Sequence, residues 1–301
     1  MSAAAVPHAA ALPRPVKPAN WGRRALWLVV SLVVVAAFWS VKIKWAALLD
    51  FPAQSAKYLA ALFVPPAWDK AGEAFSAMVL SVQMAWFGTV MGIIVSFPLS
   101  FLAARPLAPQ IVRLPLRGLF AVIRAVPEVV TAILILSVTG LTPFTGALAL
   151  AIGSVGTLGK WGYEAFEGVD PGPLEAIRTT GGGTLSLLRW GVWPSAAPEV
   201  LSFWLYRFEI NVRASAILGL IGAGGIGKML QDNVQFRNWD VVGMLLIVVI
   251  IVTMIIDQVS GTVRNRLVSG HWELPLVRRL GRGRARTARS GTESTIRRIT
   301  T

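Results

Sequence analysis

The chain has 301 residues, of which 54% are apolar and 15% charged, with a mean hydropathy of +0.62; that composition marks a polytopic membrane protein rather than a soluble domain. No cysteine is present, and the two histidines, His8 and His271, lie near the ends. Disulfides, thiolate nucleophiles and cysteine metal sites are therefore excluded, as are zinc chemistry and histidine general-base chemistry inside the core. The net charge of +14 collects in loops and in the tail, where it sets membrane orientation and does not call for nucleic acid.

Residues 1–20 are rich in Ala and Pro, with Arg14 and Lys17, and read as disordered. Trp21 to Ile43 is an apolar run of span length with Arg23 and Arg24 at its start, and reads as an uncleaved anchor because further spans follow. Trp45 to Trp68 is interrupted by Asp50, Pro52, Lys57, Pro65 and Pro66, which predicts an interfacial helix ending at the two prolines. Residues 21–70 thus form a first transmembrane helix and an external interfacial segment. Phe75 to Ala104 predicts a second span, long enough to tilt or to kink at Pro98. Leu116 to Thr139 predicts a third, carrying Arg124, Pro127 and Glu128. Pro143 to Tyr163 predicts a fourth, in which Gly146, Gly153, Gly156 and Gly159 allow close helix approach. Ala197 to Ile221 and Val241 to Val263 predict the fifth and sixth. Residues 269–301 form a basic tail, disordered beyond about Leu280.

The stretch between the fourth and fifth spans is polar and glycine-rich. Asp170-Pro171-Gly172-Pro173 has the residues that open a helix. Leu174 to Thr180 makes about two turns, and Gly181-Gly182-Gly183 stops them. A short helix held in a loop between spans is a handle that another molecule can push.

Counting Lys and Arg beside the spans tests the orientation. With the N-terminus inside, inner segments hold Arg14, Lys17, Arg23, Arg24, Arg105, Arg113, Arg117, Lys160, Arg178, Arg189, Arg264, Arg266, Arg278 and Arg279. Outer segments hold only Lys42, Lys44, Lys57, Lys70, Lys228 and Arg237. The asymmetry places both termini and the handle in the cytoplasm.

Gly222 to Lys228 imitates two nucleotide signatures. Both are rejected: Met229 stands where a P-loop needs a hydroxyl, and the preceding run is a span rather than a strand. Gly222, Gly224, Gly225 and Gly227 are read instead as a point where a helix ends, bends or reverses, either as a tight turn only or as part of a gate or pathway. Arg124, Glu128, Arg207, Glu209 and Arg213 fall within predicted spans, where each costs at least about 2.5 kcal/mol at the bilayer centre unless paired or wetted. The spacing puts Arg124 and Glu128 on one helix face, Glu209 and Arg213 on another, and Arg207 toward Asn211. They either lock the bundle as pairs or line a path for an anion, which the surplus positive charge favours weakly. Gln83 and Asn211 are further polar candidates.

Glu175-Ala176-Ile177, then Gly181, then Trp193-Pro194, resembles the cytoplasmic EAA loop of ABC importer permeases, here within residues 164–194. Tyr206 to Ser215 with Leu218 to Gly227 closely resembles the phosphonate-type permeases of ABC importers, the PhnE family. Phe97 to Arg105, Arg124 to Glu128, and Gly159-Lys160 with Glu164-Ala165 and Glu167 fit the same family, and the likeness covers about residues 45–268. The resemblance implies an all-α polytopic protein of about six transmembrane helices, like a type I ABC importer permease. Its core would be residues 71–268, in a bacterial inner membrane. It further implies a second permease copy, two ATPase subunits that bind ATP and magnesium, and an extracytoplasmic substrate-binding protein delivering phosphonate, phosphite or phosphate. Membrane lipid surrounds the core. The chain itself would hold no cofactor and no catalytic residue. Pro173, Glu175, Ala176, Ile177, Gly181 and Pro194 would couple it to the ATPases. Rival readings are an ABC permease for another small solute, an ion-coupled secondary transporter, which commonly shows internal repeats not evident here, and a membrane enzyme.

Overall fold

The computed structural model describes residues 21–40, 45–63, 66–105 and 107–269. The segment 1–20 and the tail from residue 270 onward, both expected to be disordered, lie outside the described residues. All regular structure among the described residues is helical, and it divides into two units at Ala56 and Lys57. In the first unit, helix α1 (Trp21–Ser40) buries none of its residues, and α2 (Trp45–Phe63) begins and runs through Pro52.

The second unit takes up the remainder of α2, then a 3₁₀ turn at Trp68–Lys70 and α3 (Ala71–Ala103). Helices α4 (Gln110–Ala125), α5 (Glu128–Thr139), α6 (Pro143–Glu167) and α7 (Pro171–Thr179) follow. Then α8 (Thr184–Ser186) leads through a π-helical turn, Leu187–Val192, into α9 (Trp193–Leu218). A second π-helical turn, Gly219–Ala223, precedes α10 (Gly225–Gln235), and α11 (Trp239–Ser269) ends the described chain.

Helix α6 is the central element, and its small residues are the reason. Thr142 caps it by accepting from the Thr145 N–H at 3.3 Å, and Pro143 occupies its first turn. A Cβ on Gly88 or Gly92 of α3 would stand 2.6 Å from Cβ of Leu150 or 2.4 Å from Cβ of Ser154. On another side, a Cβ on Gly159 would stand 2.4 Å from the ring of Phe120, the fully buried anchor of α4. In lipid no hydrophobic force drives helices together, so such close approach supplies the packing energy.

Three segments can each cross a membrane unbroken: α1, Trp68–Ala103 and α11. Two bent pairs raise the number to five. Among the described residues three to five spans are thus found where about six are expected; α6, with 25 residues, is not among them. Helix α3 runs unbroken through Pro98.

The expected third span is corrected: it is not one helix. Helices α4 and α5 meet at 87°, because Val126, the residue before Pro127, is extended at φ −87° and ψ 121°. Arg124 and Glu128 therefore do not share a helix face. The fifth span begins earlier than expected, continuous with α8, and ends at a 55° bend into α10. Gly222 at φ +98° and Gly224 at φ +91° make that bend, and the Ile226 N–H just beyond it donates to Ser81 Oγ of α3 at 2.9 Å.

The packing account makes a stability prediction. Gly159→Ala should cost about 1–3 kcal/mol by overpacking, read as a lower unfolding midpoint in detergent. Gly118→Ala, which meets nothing within 4 Å, should be neutral or slightly stabilising.

Candidate functional site

Helix α7 is built as a handle with two faces. Asp170 caps it, its carboxylate accepting from the Gly172 N–H at 2.9 Å. Gly181 at φ +78° ends it, with the Gly181 and Gly182 N–H groups donating to the Arg178 and Ile177 carbonyls at 3.0 Å each. It starts at Pro171, slightly earlier than expected, and ends at Thr179. Leu174 is buried and Ile177 is half-buried, and both reach Gly191 in the first π-helical turn, at 2.7 and 3.1 Å from a Cβ built there. This inner face joins a core of Phe166, Val192, Ala196 and Val200 at the ends of α6 and α9. Pro173, Glu175 and Ala176 stand exposed on the outer face, and Pro194 is exposed at the start of α9.

Beside α7, a second cluster binds three helix ends together. The Arg117 guanidinium of α4 donates to the Ala103 carbonyl at 2.9 Å from Nε and 2.8 Å from Nη2, closing the end of α3. It also pairs with Glu167, the last residue of α6, and lies 4.3 Å from the Tyr163 ring centroid. The Arg105 N–H donates to the same Glu167 oxygen at 2.7 Å.

The charges inside the spans pair between helices. Arg207 of α9, only 4% exposed, pairs with Glu128 at the start of α5. Its Nε donates to Ser154 Oγ of α6 at 2.9 Å. Asn211 Nδ2 donates to the same Ser154 oxygen at 3.0 Å and to Thr89 Oγ1 of α3 at 2.8 Å. Ser154 and Thr89 in turn donate to the carbonyls of Leu150 and Ala85, so each hydroxyl has one donor and at least one acceptor role filled. Arg207 and Asn211 do face the same way, as their spacing requires. Arg213 and Glu209 share α9 but turn to α11 instead: Arg213 pairs with Asp257 at 3.5 Å, and Glu209 with Arg264 at 3.9 Å.

Arg124 and Glu128 come together after all, across the helix break rather than along a helix. They line a polar recess of about 200 Å³ with Thr157 and Gly153 of α6. The glycine bend lies elsewhere. Gly222 packs on Leu141, Gly224 on Pro143 and Gly225 on Ser81, while Gly227 lies against the Ala216 carbonyl of α9. Ala223 packs on Gly146, seven residues along α6 from Gly153, or about 10 Å at 1.5 Å per residue.

Sequence reasoning missed Ser154, Thr89 and the Arg117–Glu167 cluster. Ser and Thr on tight helix interfaces carry no signal of their own. Arg117 entered only as an orientation charge, and Glu167 only through a resemblance. Gln83, offered as a polar contact, is exposed on an apolar groove with Trp86 and Phe208 and stands outside the network. No group of residues suited to a metal ion occurs among the described residues.

Comparison with known proteins adds the lineage. The chain is 40% identical over 236 residues to the phosphate-import permease protein PhnE of Mycolicibacterium smegmatis, covering 78% of this chain and 44% of that protein. It therefore spans less than half the length of that relative. It is 32% identical over 246 residues to the phosphite transport system permease protein PtxC of Stutzerimonas stutzeri, covering 81% of this chain and 90% of that one. Among solved structures, an inward-facing form of the MetNI methionine ABC transporter shares the fold, with a TM-score of 0.57 at 17% identity over 69% of this chain and 96% of that one. The chain is thus a multi-pass bacterial inner-membrane component and not itself an enzyme. Residues 96–268 match the binding-protein-dependent transport system inner membrane component family, and the chain belongs to it.

Proposed function

We propose that the chain is the permease subunit of an ATP-driven importer for a phosphorus oxyanion: phosphonate, phosphite or phosphate. The observation that carries this reading is the two-faced helix α7, with Leu174 and Ile177 bolted to the ends of α6 and α9 and Glu175 and Ala176 turned outward. That is the form needed by a part that receives force from another polypeptide. The cargo class follows from the relatives, whose names specify phosphate and phosphite. Arg207 and Arg213 are matched by Glu128 and Asp257, while Arg124 makes no ion pair among the described residues, and that unmatched charge supports an anion.

In this reading two copies of the chain enclose the pathway. Two ATPase subunits bind ATP and magnesium and dock on α7, and a binding protein delivers cargo at the opposite face. Pro173, Glu175, Ala176, Ile177, Gly181 and Pro194 form the coupling surface. The cytoplasmic side is the α7 end of the bundle. Arg105, Arg113, Arg117, Lys160, Arg178 and Arg189 belong to the segments at that end, against Lys57, Lys70, Lys228 and Arg237 in the segments expected outside, which supports cytoplasmic placement by the positive-inside rule.

Co-expression with the partner ATPase and binding protein, followed by reconstitution in proteoliposomes, tests the function. ATP-dependent uptake of phosphite, phosphate or methylphosphonate is expected, and uptake that persists without the ATPase would favour a secondary transporter. Within that assay, Glu175→Ala or Gly181→Val should lower uptake about tenfold, a coupling loss of about 1.4 kcal/mol, while the protein still inserts. Normal transport by both variants would remove α7 from the mechanism. Glu167→Gln should weaken the tie between α6 and α4 and lower the unfolding midpoint by the equivalent of about 1–3 kcal/mol, since Arg117 then loses its charged partner. An unchanged midpoint would show the cluster to be incidental.

A further inference from the structure

We infer that the recess at the α4–α5 break is an oxyanion site within the membrane, and that Glu128 is its resident occupant, displaced from Arg207 by cargo. The inference rests on the phosphorus-oxyanion reading above and adds where in the permease the anion is held.

Depth comes first. Gly153 is the eleventh of the 25 residues of α6, so the recess lies about 15 Å from one end of that helix at 1.5 Å per residue. That is close to the middle of a hydrocarbon layer about 30 Å thick. Charge comes next. Arg124 is exposed in the recess and makes no ion pair among the described residues. Arg207 is buried behind Glu128 and is neutralised by it. The one carboxylate is taken by Arg207, and Arg124 leaves the recess with a net positive charge at a depth where an uncompensated charge is costly. A cation in that position calls for an anion.

The shape suits a small one. The recess holds about 200 Å³, room for one tetrahedral oxyanion and part of its water shell, each water taking about 30 Å³. Thr157 contributes a hydroxyl to the lining, and it donates to the Gly153 carbonyl at 3.1 Å, leaving its lone pairs toward water or toward a protonated oxyanion. Gly153 keeps the pair reachable: a Cβ there would stand 2.8 Å from Glu128 Oε1 and 3.2 Å from Arg207 Nη2. A guanidinium N–H donates to a carboxylate oxygen or to a phosphorus oxyanion oxygen alike, and here Nη2 is the group that meets Glu128. Arg207 is held in place by Ser154 through Nε, so its Nη2 group can exchange one oxyanion for another without the arginine moving. Glu128 has room to swing aside because it is the first residue of α5, next to the helix break at Val126-Pro127. Exchange of this kind binds the cargo briefly and returns the carboxylate when the cargo leaves, as a pathway requires.

Two measurements test the site. In proteoliposomes holding the complete transporter, Arg124→Gln should lower maximal phosphite and phosphate uptake about tenfold, and Arg124→Lys should retain most of it. Because Arg124 makes no ion pair among the described residues, neither change removes one, and folding is checked by the unfolding midpoint. Separately, radiolabelled orthophosphate is titrated into the purified permease–ATPase complex without its binding protein. Glu128→Gln should bind phosphate about tenfold more tightly than the wild type, and Arg124→Gln in that background should abolish the gain. Wild-type uptake by Arg124→Gln, or phosphate binding indifferent to Glu128, would overturn the site. Wild-type vesicles that take up none of these anions would overturn the cargo assignment instead, and the direct titration would still report on the recess.

Discussion

A guanidinium at the middle of a lipid-embedded bundle sets the terms for everything around it. Arg207 is 4% exposed, so its charge has to be met by the protein. Its compensation comes from Glu128 on α5 and Ser154 on α6, while Ser154 also serves Asn211, which reaches Thr89 on α3. Four helices are thereby held by one network. Removing a single member leaves the others buried without partners, which is costlier than the network is favourable. The helices are therefore held in one register by the penalty for leaving it.

Such a network is possible only because the helices approach so closely. Gly92 lies directly against Ser154, and Gly153 lies against Glu128 and Arg207. A larger residue at either place would lift a helix away and open the hydrogen bonds. The small residues of α6 and the buried polar groups are thus one design rather than two. The first sets the spacing, and the second uses it. The same economy explains why α6 is rich in glycine and alanine: what it needs from its residues is small size.

This division also decides how much was legible in the sequence. The all-helical class, the capped two-turn helix at Asp170 to Gly181 and the bend at the glycine cluster follow from local chemistry, and local chemistry is written in the sequence. The i, i+4 spacing of Arg124 and Glu128 suggests a shared helix face, but Val126-Pro127 lies between them and the helix axis turns there by 87°. Pro127 itself carried the warning. Ser154 and Thr89 were not legible at all, since their role depends on which helices meet. Arg117 and Glu167 stand 50 residues apart, and nothing but the fold brings them together.

The placement of α7 gives the network a second meaning. Helix α7 sits between the end of α6 and the start of α9, packed on both through Leu174, Ile177 and Phe166. Those are the two helices that Arg207 and Ser154 join farther into the membrane. At the α6 end, Glu167 also ties in α3 and α4 through Arg117 and the Ala103 carbonyl. On the α9 side the connection runs through the π-helical turn Leu187–Val192, an insertion in the i→i+4 ladder of the kind frequent at functional sites. Helix α7 is thus joined to the same two helices that the Arg207–Ser154 hydrogen bond joins farther along, and the break at Val126-Pro127 lies beside that bond.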